Sequence, residues 1–199
     1  TKVREGNDVY LDNILKVKHG AVIEHAQVSF IFADCSRVFT HEVVRHRVGV
    51  AISQESLRFV RLTDLGQWLP SVIREDAEAM TIFAKTFEEL ERLQLQLAEH
   101  FKLDAEGVSF SKKKTITSAM RRIAPIGLAT AICWSANFRT LRWVIELRTD
   151  ASAEEEIRLV FARVAEICKA RYPAVFGDFE PVAVPGSDIP AWKPKHGKV

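Results

Sequence analysis

The sequence predicts a protein of the α/β (α+β) class, in which helices accompany β-strands. Residues 26–35 alternate larger apolar side chains with smaller or polar ones, and this alternation is the period of a half-buried strand. Residues 75–101 place apolar side chains three and four positions apart, which predicts a long amphipathic helix. A further helix is predicted from Ala153 to about Tyr172, because Pro173 ends the pattern.

The remaining elements are predicted in chain order. Ser36 is placed to cap a helix whose last turn carries Arg45–Arg47, where the helix macrodipole favours cations. A loop is expected over 48–55 and a short strand over 56–60. Residues 104–114 are the best candidate for a linker, since they contain Gly107 and three consecutive lysines.

The C-terminal part follows the same rules. A helix carrying Met120–Arg122 is expected to stop before Pro125, and another is expected over 137–148. The apolar run 128–134 fits either a buried strand or the start of a helix, and periodicity does not choose between them. The segment 177–199 is rich in Pro and Gly, so we expect a loosely ordered tail.

Composition limits the class of protein. A chain of 199 residues is expected to form a single domain, 1–199. The net charge of +2, from 28 basic and 26 acidic residues, argues against binding to a nucleic-acid polymer, which usually requires a strong basic excess. No apolar run approaches the roughly 20 residues of a membrane span, so membrane insertion is not expected.

The cysteines and the start of the chain point to a compartment. Cys35, Cys133 and Cys168 are few and widely separated, which suits a reducing cytosol and fits neither a disulfide framework nor a zinc site. The chain starts at Thr1 with no signal-like segment, so we expect a trimmed cytoplasmic protein. His19, His25 and His41 lack acidic or cysteine partners at ligand spacing, and no metal site is predicted.

Three consecutive cations, Arg45, His46 and Arg47, form the most informative feature of the sequence. Apolar residues flank them on both sides, at 43–44 and 48–52, and would draw the triplet toward a partly buried site. A phosphate-bearing ligand is the natural counter-charge, because Arg offers it a bidentate fork. A solvated helix end explains the same triplet without any ligand.

Further polar features have a bland explanation and a functional one. The segment 53–58 is hydroxyl-rich and charged, and an ordinary turn accounts for it equally well. Arg121 with Arg122, and Asn137 with Arg139 and Arg148, are either surface charges or ligand contacts. The acidic run 154–156 begins a helix, and the macrodipole alone accounts for it.

In their order and spacing these segments resemble the flavin-dependent thymidylate synthase family. The matching stretches are KHGAVIEH, HEVVRHR, VGVAISQESLRF, MRRIAP, NFRTLRWVIELR and AEEEIR, from about His19 to Arg158. The RHR segment with its trailing Ser and Arg is the specific part. The resemblance implies an α/β fold with a mixed sheet flanked by helices, assembled as a homotetramer whose sites combine residues from several subunits.

The resemblance also implies roles for individual residues. The residues expected to bind the flavin are His19, Arg45, His46, Arg47, Glu55, Asn137 and Arg139. Those expected around the uracil nucleotide are Glu42, Glu55, Ser56, Leu57, Arg58, Arg121 and Arg148. Arg148 is the expected catalytic residue, since a fixed cation near the uracil edge stabilises negative charge on the ring as C5 becomes nucleophilic.

The implied reaction is reductive methylation of C5 of dUMP by a methyltransferase-type enzyme. The implied cofactors are FAD, NADPH and 5,10-methylene-tetrahydrofolate, and no cysteine nucleophile is required. Glu42 stands where the family has Gln, Phe59 replaces Tyr, Trp143 replaces Asn or His, and Glu154 replaces Gln. A carboxylate that accepts a hydrogen bond from a 2′-hydroxyl would suit UMP, so C5-methylation of UMP in nucleoside-antibiotic biosynthesis is the alternative.

Two non-enzymatic interpretations stay open at the level of sequence. One is a flavin- or nucleotide-binding homologue that has lost methyl transfer. The other is a basic-patch RNA binder, which the balanced charge and the lack of aromatic residues between the arginines disfavour.

Overall fold

The structure is a computed structural model that describes residues 6–58 and 66–199. Contacts between residues divide the chain into two compact units. The first unit comprises Thr1–Ile31, His41–Ile52 and Cys133–Val199, and the second comprises Phe32–Thr40 and Ser53–Ile132. That residues 1–199 form a single domain stays a prediction.

The described residues form helices and strands in the following order. The helices are α1 Asp8–Lys16, α2 Arg37–Val43, α3 Ser71–Arg74, α4 Ala77–His100, α5 Phe110–Met120, α6 Phe138–Arg148, α7 Glu155–Arg171 and α8 Pro173–Phe176. The strands are β1 Gln27–Ser36, β2 Val50–Gln54, β3 Ala129–Asn137, β4 Phe179–Val184 and β5 Ser187–Pro194. Single 3₁₀ turns occur at Gly20–His25 and Arg121–Ile123. The predicted α/β class, with helices beside a sheet and a long amphipathic helix, is confirmed.

A three-stranded sheet has the strand order β1-β3-β2. The apolar run at 128–134 belongs to strand β3, where Thr130, Ile132, Trp134 and Ala136 are buried and the residues between them are less so. This alternation with period two is what a strand produces when one face packs on a core. The choice that the sequence left open is therefore settled in favour of a strand.

The predicted position of the RHR triplet at the end of a helix is wrong. Ser36 does cap α2, since its Oγ accepts from the backbone N–H of Phe39 at 3.1 Å. The helix ends at Val43, however, and the triplet lies in the turn and irregular segment that follow. The backbone N–H groups of Arg45 and His46 bond three residues back, to Glu42 and Val43, which tightens the chain out of the helix.

The strand after the triplet comes earlier than predicted. β2 occupies Val50–Gln54, inside the predicted loop, and most of its side chains are exposed, so the sequence carries no alternating pattern there. Residues 56–58 of the expected strand are not extended into a sheet. Phe59 and Val60 lie outside the described residues.

The second unit is built around α4, which matches the predicted amphipathic helix. Asp76 caps it, because its Oδ1 accepts from the N–H groups of Glu78 and Ala79 at 2.9 Å each. A small core of Ala98, Leu103 and Met120 joins α4 to α5. The second half of the predicted linker is wrong, since α5 begins at Phe110 within it.

The C-terminal segment is a paired hairpin rather than a loosely ordered tail. β4 and β5 pair antiparallel, with Phe179 opposite Pro194 and Pro181 opposite Trp192. Some of the Pro and Gly residues that suggested disorder form the turn of the hairpin, where Gly186 has φ of +74°. Within the described residues, no helix is both long and apolar enough to cross a membrane.

Within the first unit, a buried ion pair attaches the hairpin to α6. Nη1 and Nη2 of Arg142, on α6, donate to the two carboxylate oxygens of Asp178 at 2.6 and 2.9 Å. The same guanidinium lies over the ring of Phe179, 4.8 Å from its centroid. The bidentate geometry and low exposure of both groups make this pair a strong anchor.

Candidate functional site

Arg148, at the end of α6, is held by residues from α2 and from the RHR triplet. Its Nε donates to Nε2 of His46 at 2.8 Å, and its Nη1 donates to Oε2 of Glu42 at 2.8 Å. Its Nη2 donates to the backbone oxygen of Glu42 at 3.2 Å. The side chains of Arg148 and Glu42 are 16% and 26% exposed, so water screens their attraction only in part. The fold thus joins Arg148 to two predicted site residues that lie more than 100 positions earlier in the sequence.

His46 is a neutral hydrogen-bond acceptor in this cluster. Burial is the main reason that the pKa of His46 falls to about 4, and the adjacent Arg148 cation lowers it further. A neutral imidazole whose Nε2 accepts from Arg148 must carry its proton on Nδ1. At neutral pH, therefore, the middle member of the RHR triplet is uncharged and the triplet carries two positive charges.

Glu42, an acid among the predicted ligand residues, faces Arg148. Its carboxylate neutralises the guanidinium and fixes the direction in which it points. Glu154 lies close enough that Glu42 helps to raise the pKa of the Glu154 carboxyl, although burial is the larger cause. Glu154 also caps α7, because its Oε2 accepts from the N–H of Glu156 at 2.7 Å.

The segment after the RHR triplet is fastened to the start of α6. Asn137 caps α6 by accepting from the N–H of Thr140 at 2.8 Å, and its own N–H donates to the backbone oxygen of Gly49. The hydroxyl of Thr140 donates to the backbone oxygen of Val48 at 2.8 Å. Gly49 has φ of +67°, and a Cβ there would lie 2.2 Å from Nδ2 of Asn137. A glycine is therefore required where the two segments meet.

A cavity of about 400 Å³ opens beside the start of α6 in the first unit. Arg139 lies on its wall, where Nη1 pairs with Oε1 of Glu24 at 2.6 Å and Nε donates to the backbone oxygen of Val199 at 2.8 Å. Asn137 and Trp143 also line the cavity. Trp143 contacts His46 edge to face, with ring centroids 5.0 Å apart, so the cavity adjoins the Arg148 cluster.

Five residues of the predicted flavin set are exposed, namely His19, Arg45, Arg47, Glu55 and Arg139. Arg45, Arg47 and His19 are all on the surface of the first unit. His19 directly precedes Gly20, where a Cβ would lie 2.7 Å from Nε of Arg139. The chain next to His19 therefore packs against a residue that lines the cavity.

The second unit contains the other predicted nucleotide residues. The segment 55–58 follows β2, where the hydroxyl of Ser56 accepts from the N–H of Arg58 at 3.3 Å and Leu57 is buried. The backbone oxygen of Arg58 accepts from the hydroxyl of Thr117 at 2.9 Å. Nε of Arg58 is buried with no hydrogen-bond partner among the described residues, which suits a donor that awaits an anion.

Arg37 is a member of this region that the sequence interpretation missed. Its Nη2 donates to the backbone oxygen of Glu55 at 3.1 Å. Burial is the main reason that the pKa of Arg37 is lowered, and the positive charge of Arg121 adds to the effect while Glu55 opposes it. Two cations within electrostatic range of each other produce a positive potential that attracts anions. Arg37 lies at the start of α2 and carries no spacing signal that would have singled it out.

Comparison with known proteins decides the family. The model of the family described as thymidylate synthase complementing protein matches residues 1–174. A flavin-dependent thymidylate synthase of Corynebacterium diphtheriae is 34% identical over 190 residues, which cover 94% of this chain and 75% of the relative. The chain belongs to the flavin-dependent thymidylate synthase family. The predicted resemblance is therefore confirmed.

Other members of the flavin-dependent thymidylate synthase family give the same result. The enzyme of that name from Mycobacterium sp. (strain JLS) is 36% identical over 183 residues, covering 87% of this chain and 70% of its own. The one from Mycolicibacterium gilvum is 34% identical over 186 residues, which cover 89% of this chain and 72% of the relative.

The two predicted ligand sets of this family member are distributed unevenly over the units. Apart from Glu55, the predicted flavin residues all lie in the first unit. The predicted nucleotide residues are divided, with Glu42 and Arg148 in the first unit and Glu55, Arg58 and Arg121 among those in the second. The contact of His46 with Arg148 links a predicted flavin residue directly to a predicted nucleotide residue.

Proposed function

We propose that the protein methylates C5 of dUMP reductively, with 5,10-methylene-tetrahydrofolate as the one-carbon donor and NADPH as the final reductant. Membership of the flavin-dependent thymidylate synthase family supports this reaction and does not favour the UMP alternative. The observation that carries the proposal is the fixed guanidinium of Arg148, held by Glu42 and His46 at 2.8 Å each.

Arg148 is suited to act on an electron-rich uracil ring. Three of its five N–H groups are used in the bonds to His46 and Glu42, which leaves two to donate to a ligand. A cation that is already oriented stabilises negative charge on the uracil ring without reorganising during the reaction. In this proposal Glu42 acts through Arg148, rather than by accepting a hydrogen bond from a ribose hydroxyl.

The donor set of the first unit fits a flavin dinucleotide. Arg45, Arg47 and Arg139 are cations for its pyrophosphate, and Asn137 contributes an amide at the wall of the cavity. The cavity of about 400 Å³ is within the range of cofactor pockets, and its lining includes both Trp143 and polar side chains. When bound and reduced, FAD supplies the hydride that completes the methyl group. His19, His46 and Glu55 complete the proposed flavin set.

The segment 55–58 and Arg121 are proposed to hold the rest of the nucleotide. Nε of Arg58, which has no hydrogen-bond partner among the described residues, offers a donor for a phosphate, and Arg37 and Arg121 add positive charge. Ser56 and Glu55 offer a hydroxyl and a carboxylate for the sugar or the base. These residues belong to the second unit.

Two of the three cysteines, Cys35 and Cys168, fit a mechanism that uses no enzyme nucleophile. Burial raises the pKa of the Cys168 thiol to about 12, so this thiol stays protonated at neutral pH. Cys35 is also buried, and its Sγ approaches the backbone oxygen of Thr130 at 3.4 Å. Neither thiol is a ready nucleophile for the uracil ring.

We also propose that the protein is a cytoplasmic homotetramer whose sites combine residues from several subunits. A complementation assay tests this arrangement sharply, because Arg148→Ala and Arg58→Ala are each expected to be inactive. If the two residues of one site come from different subunits, mixed tetramers regain part of the wild-type activity. Sites completed within one subunit would regain none, and light scattering would report the mass of the assembly.

Two variants separate the proposed flavin and substrate roles. Arg148→Ala is expected to suppress turnover and keep the bound flavin, because Arg148 belongs to the proposed nucleotide set and not to the proposed flavin set. Arg45→Ala is expected to lose flavin on gel filtration, since it removes a cation from the proposed pyrophosphate site. Flavin absorbance and turnover are measured on both, with the exposed Arg163→Ala as control. Wild-type behaviour in both variants would remove these assignments.

A colour test separates the enzyme from an inactive homologue. The proposed enzyme is yellow when purified with FAD, and its absorbance bleaches when NADPH is added anaerobically. Bound FAD that NADPH does not reduce would support a homologue that has lost its activity. A protein indifferent to FAD would contradict the proposed function itself.

A further inference from the structure

Residues 196–199 form a strap that two arginines of α6 hold at the cavity. At the start of the strap, the backbone oxygen of His196 accepts from Nη2 of Arg142 at 2.9 Å. At its far end, the backbone oxygen of Val199 accepts from Nε of Arg139 at 2.8 Å. All four residues of the strap line the cavity of about 400 Å³, so the strap is one of its walls.

The two ends of the strap are held with different firmness. The start is bound to the buried pair of Arg142 and Asp178, since its first N–H also donates to Oδ2 of Asp178 at 3.0 Å. At the far end, the side chain of Arg139 is 46% exposed, so water competes for its bond to Val199. Between the ends, Lys198 has φ of +55°, a conformation that is unfavourable for a residue with a Cβ. The far end can therefore be released while the start stays anchored.

The far end of the strap lies between two segments that carry proposed flavin residues. Gly20 directly follows His19, and a Cβ at Gly20 would lie 2.6 Å from the backbone carbon of Val199. The same Cβ would lie 2.7 Å from Nε of Arg139. The backbone of the strap thus packs between the segment of His19 and the guanidinium of Arg139, which are proposed to share one ligand.

The hydrogen bonds of Arg139 leave neither of its two binding edges fully available. A guanidinium holds a phosphate bidentately through Nε and one Nη, or through both Nη atoms. The oxygen of Val199 takes Nε, and Oε1 of Glu24 accepts from Nη1 at 2.6 Å. The carboxylate of Glu24 repels an anion at its own edge, whereas the oxygen of Val199 belongs to a segment that can move away. An anion therefore reaches Arg139 through the Nε edge, and the strap has to leave that edge first.

We infer that the strap is autoinhibitory, because residues 196–199 and the pyrophosphate of FAD compete for the Nε edge of Arg139. The inference rests on the proposed function, since it takes the ligand of Arg139 to be FAD. Every molecule with a docked strap is unable to bind FAD bidentately, which weakens the apparent affinity in proportion. The strap lies outside residues 1–174, the part of the chain that the family model matches.

The first experiment compares FAD binding by the whole chain and by a variant that lacks residues 197–199. The variant keeps His196 and with it the bonds to Arg142 and Asp178. Flavin-free protein is titrated with FAD, and urea unfolding midpoints establish that the variant is folded. The Kd for FAD is expected to fall about 3- to 10-fold, because a larger fraction of molecules offers the Nε edge.

Lys198→Ala is the matched control for this truncation. It removes the same positive charge and keeps the backbone oxygen of Val199 that Arg139 contacts. Loss of a cation by itself weakens the binding of an anion, so the control is expected to bind FAD no more tightly than the whole chain. Tighter binding in the truncated variant alone is therefore the result of releasing Arg139.

The second experiment follows the strap itself. Val199→Cys places a thiol on the strap and keeps the backbone oxygen. Its alkylation rate is measured by mass spectrometry with and without saturating FAD, and the partly exposed Cys133 on β3 is the internal control. The rate at position 199 is expected to rise at least about threefold with FAD, as the far end of the strap opens, while the rate at Cys133 stays the same.

The outcomes separate the inference from the proposed function. Equal Kd values for the whole and the truncated chain, or an alkylation rate at position 199 that bound FAD does not raise, would overturn the inference and leave the proposed function intact. Weaker FAD binding by the truncated variant than by Lys198→Ala would also overturn it, and would make the strap a supporting wall of the site. Failure of FAD to bind either chain would contradict the proposed function itself, and the competition with it.

Discussion

Replacing Glu42 by Gln removes one negative charge from the Arg148 cluster and leaves its shape nearly unchanged. The amide oxygen of Gln can still accept from Nη1 of Arg148, so the loss is confined to the charge-assisted part of a 2.8 Å bond. Bonds to charged groups contribute about 1.5–3 kcal/mol, and partial exposure of both side chains places this one at the lower end. We expect a loss of about 1–2 kcal/mol in the transition state, equivalent to a fall in kcat of about 5- to 30-fold.

The assay is release of the C5 hydrogen of dUMP and formation of the methylated product, each as a function of dUMP concentration. The effect is expected in kcat more than in KM, because a loosened Arg148 no longer meets the charge that develops on the ring. Glu166→Gln is the matched control, since Glu166 forms an exposed ion pair with Arg163 on α7. Turnover of Glu42→Gln within twofold of the control would refute the view that Glu42 orients Arg148.

A spectroscopic consequence accompanies the kinetic one. The negative charge of Glu42 helps to raise the pKa of the Glu154 carboxyl, so Glu42→Gln should lower that pKa. A carbon-detected NMR titration of the glutamate carboxyls measures the change. An unchanged Glu154 would mean that the two carboxylates do not interact.

Three further predictions follow from the same structure. Arg148→Met should raise the pKa of His46 above about 4; histidine NMR measures this pKa, and an unmoved value would contradict the contact. Because the unfolded state binds this proton more readily, the wild-type protein should lose stability as pH falls from 6.5 to 4. Urea unfolding should show a smaller loss of stability in the variant. Asp178→Asn should lower the free energy of unfolding by about 3 kcal/mol, because it leaves a buried guanidinium without its counter-charge; a loss under 1 kcal/mol would contradict the proposed anchor. Gly49→Ala should destabilise the protein more than Gly186→Ala, since both have positive φ but only the first Cβ meets another side chain; equal unfolding midpoints would contradict the close approach.

Sequence periodicity predicted the elements whose burial is regular. The long helix α4, the helices α6 and α7, and strand β1 appear where the pattern placed them, because each buries one face in a regular register. β2 was missed because most of its side chains are exposed, and its strand form comes from pairing with a neighbour rather than from its own residues. The C-terminal hairpin was missed because Pro and Gly are typical of both turns and disorder.

The candidate site shows the same division. The sequence singled out His46, Arg148 and Glu42, but it could not show that they contact one another, since the bonds join positions 102 and 106 residues apart. The sequence places Glu42 among the predicted nucleotide residues, and only the structure shows that its carboxylate faces Arg148. The bond of Arg37 to Glu55 and the contact of Trp143 with His46 are visible only in the tertiary structure.

The central claim is tested most directly by offering the purified protein dUMP or UMP, each with methylene-tetrahydrofolate, NADPH and FAD, and measuring the mass of the nucleotide product. The account predicts that dUMP gains about 14 mass units, because one methyl group replaces one hydrogen. This reaction requires FAD and is suppressed in Arg148→Ala. Methylation of UMP in preference to dUMP, or methylation that persists without Arg148, would contradict it.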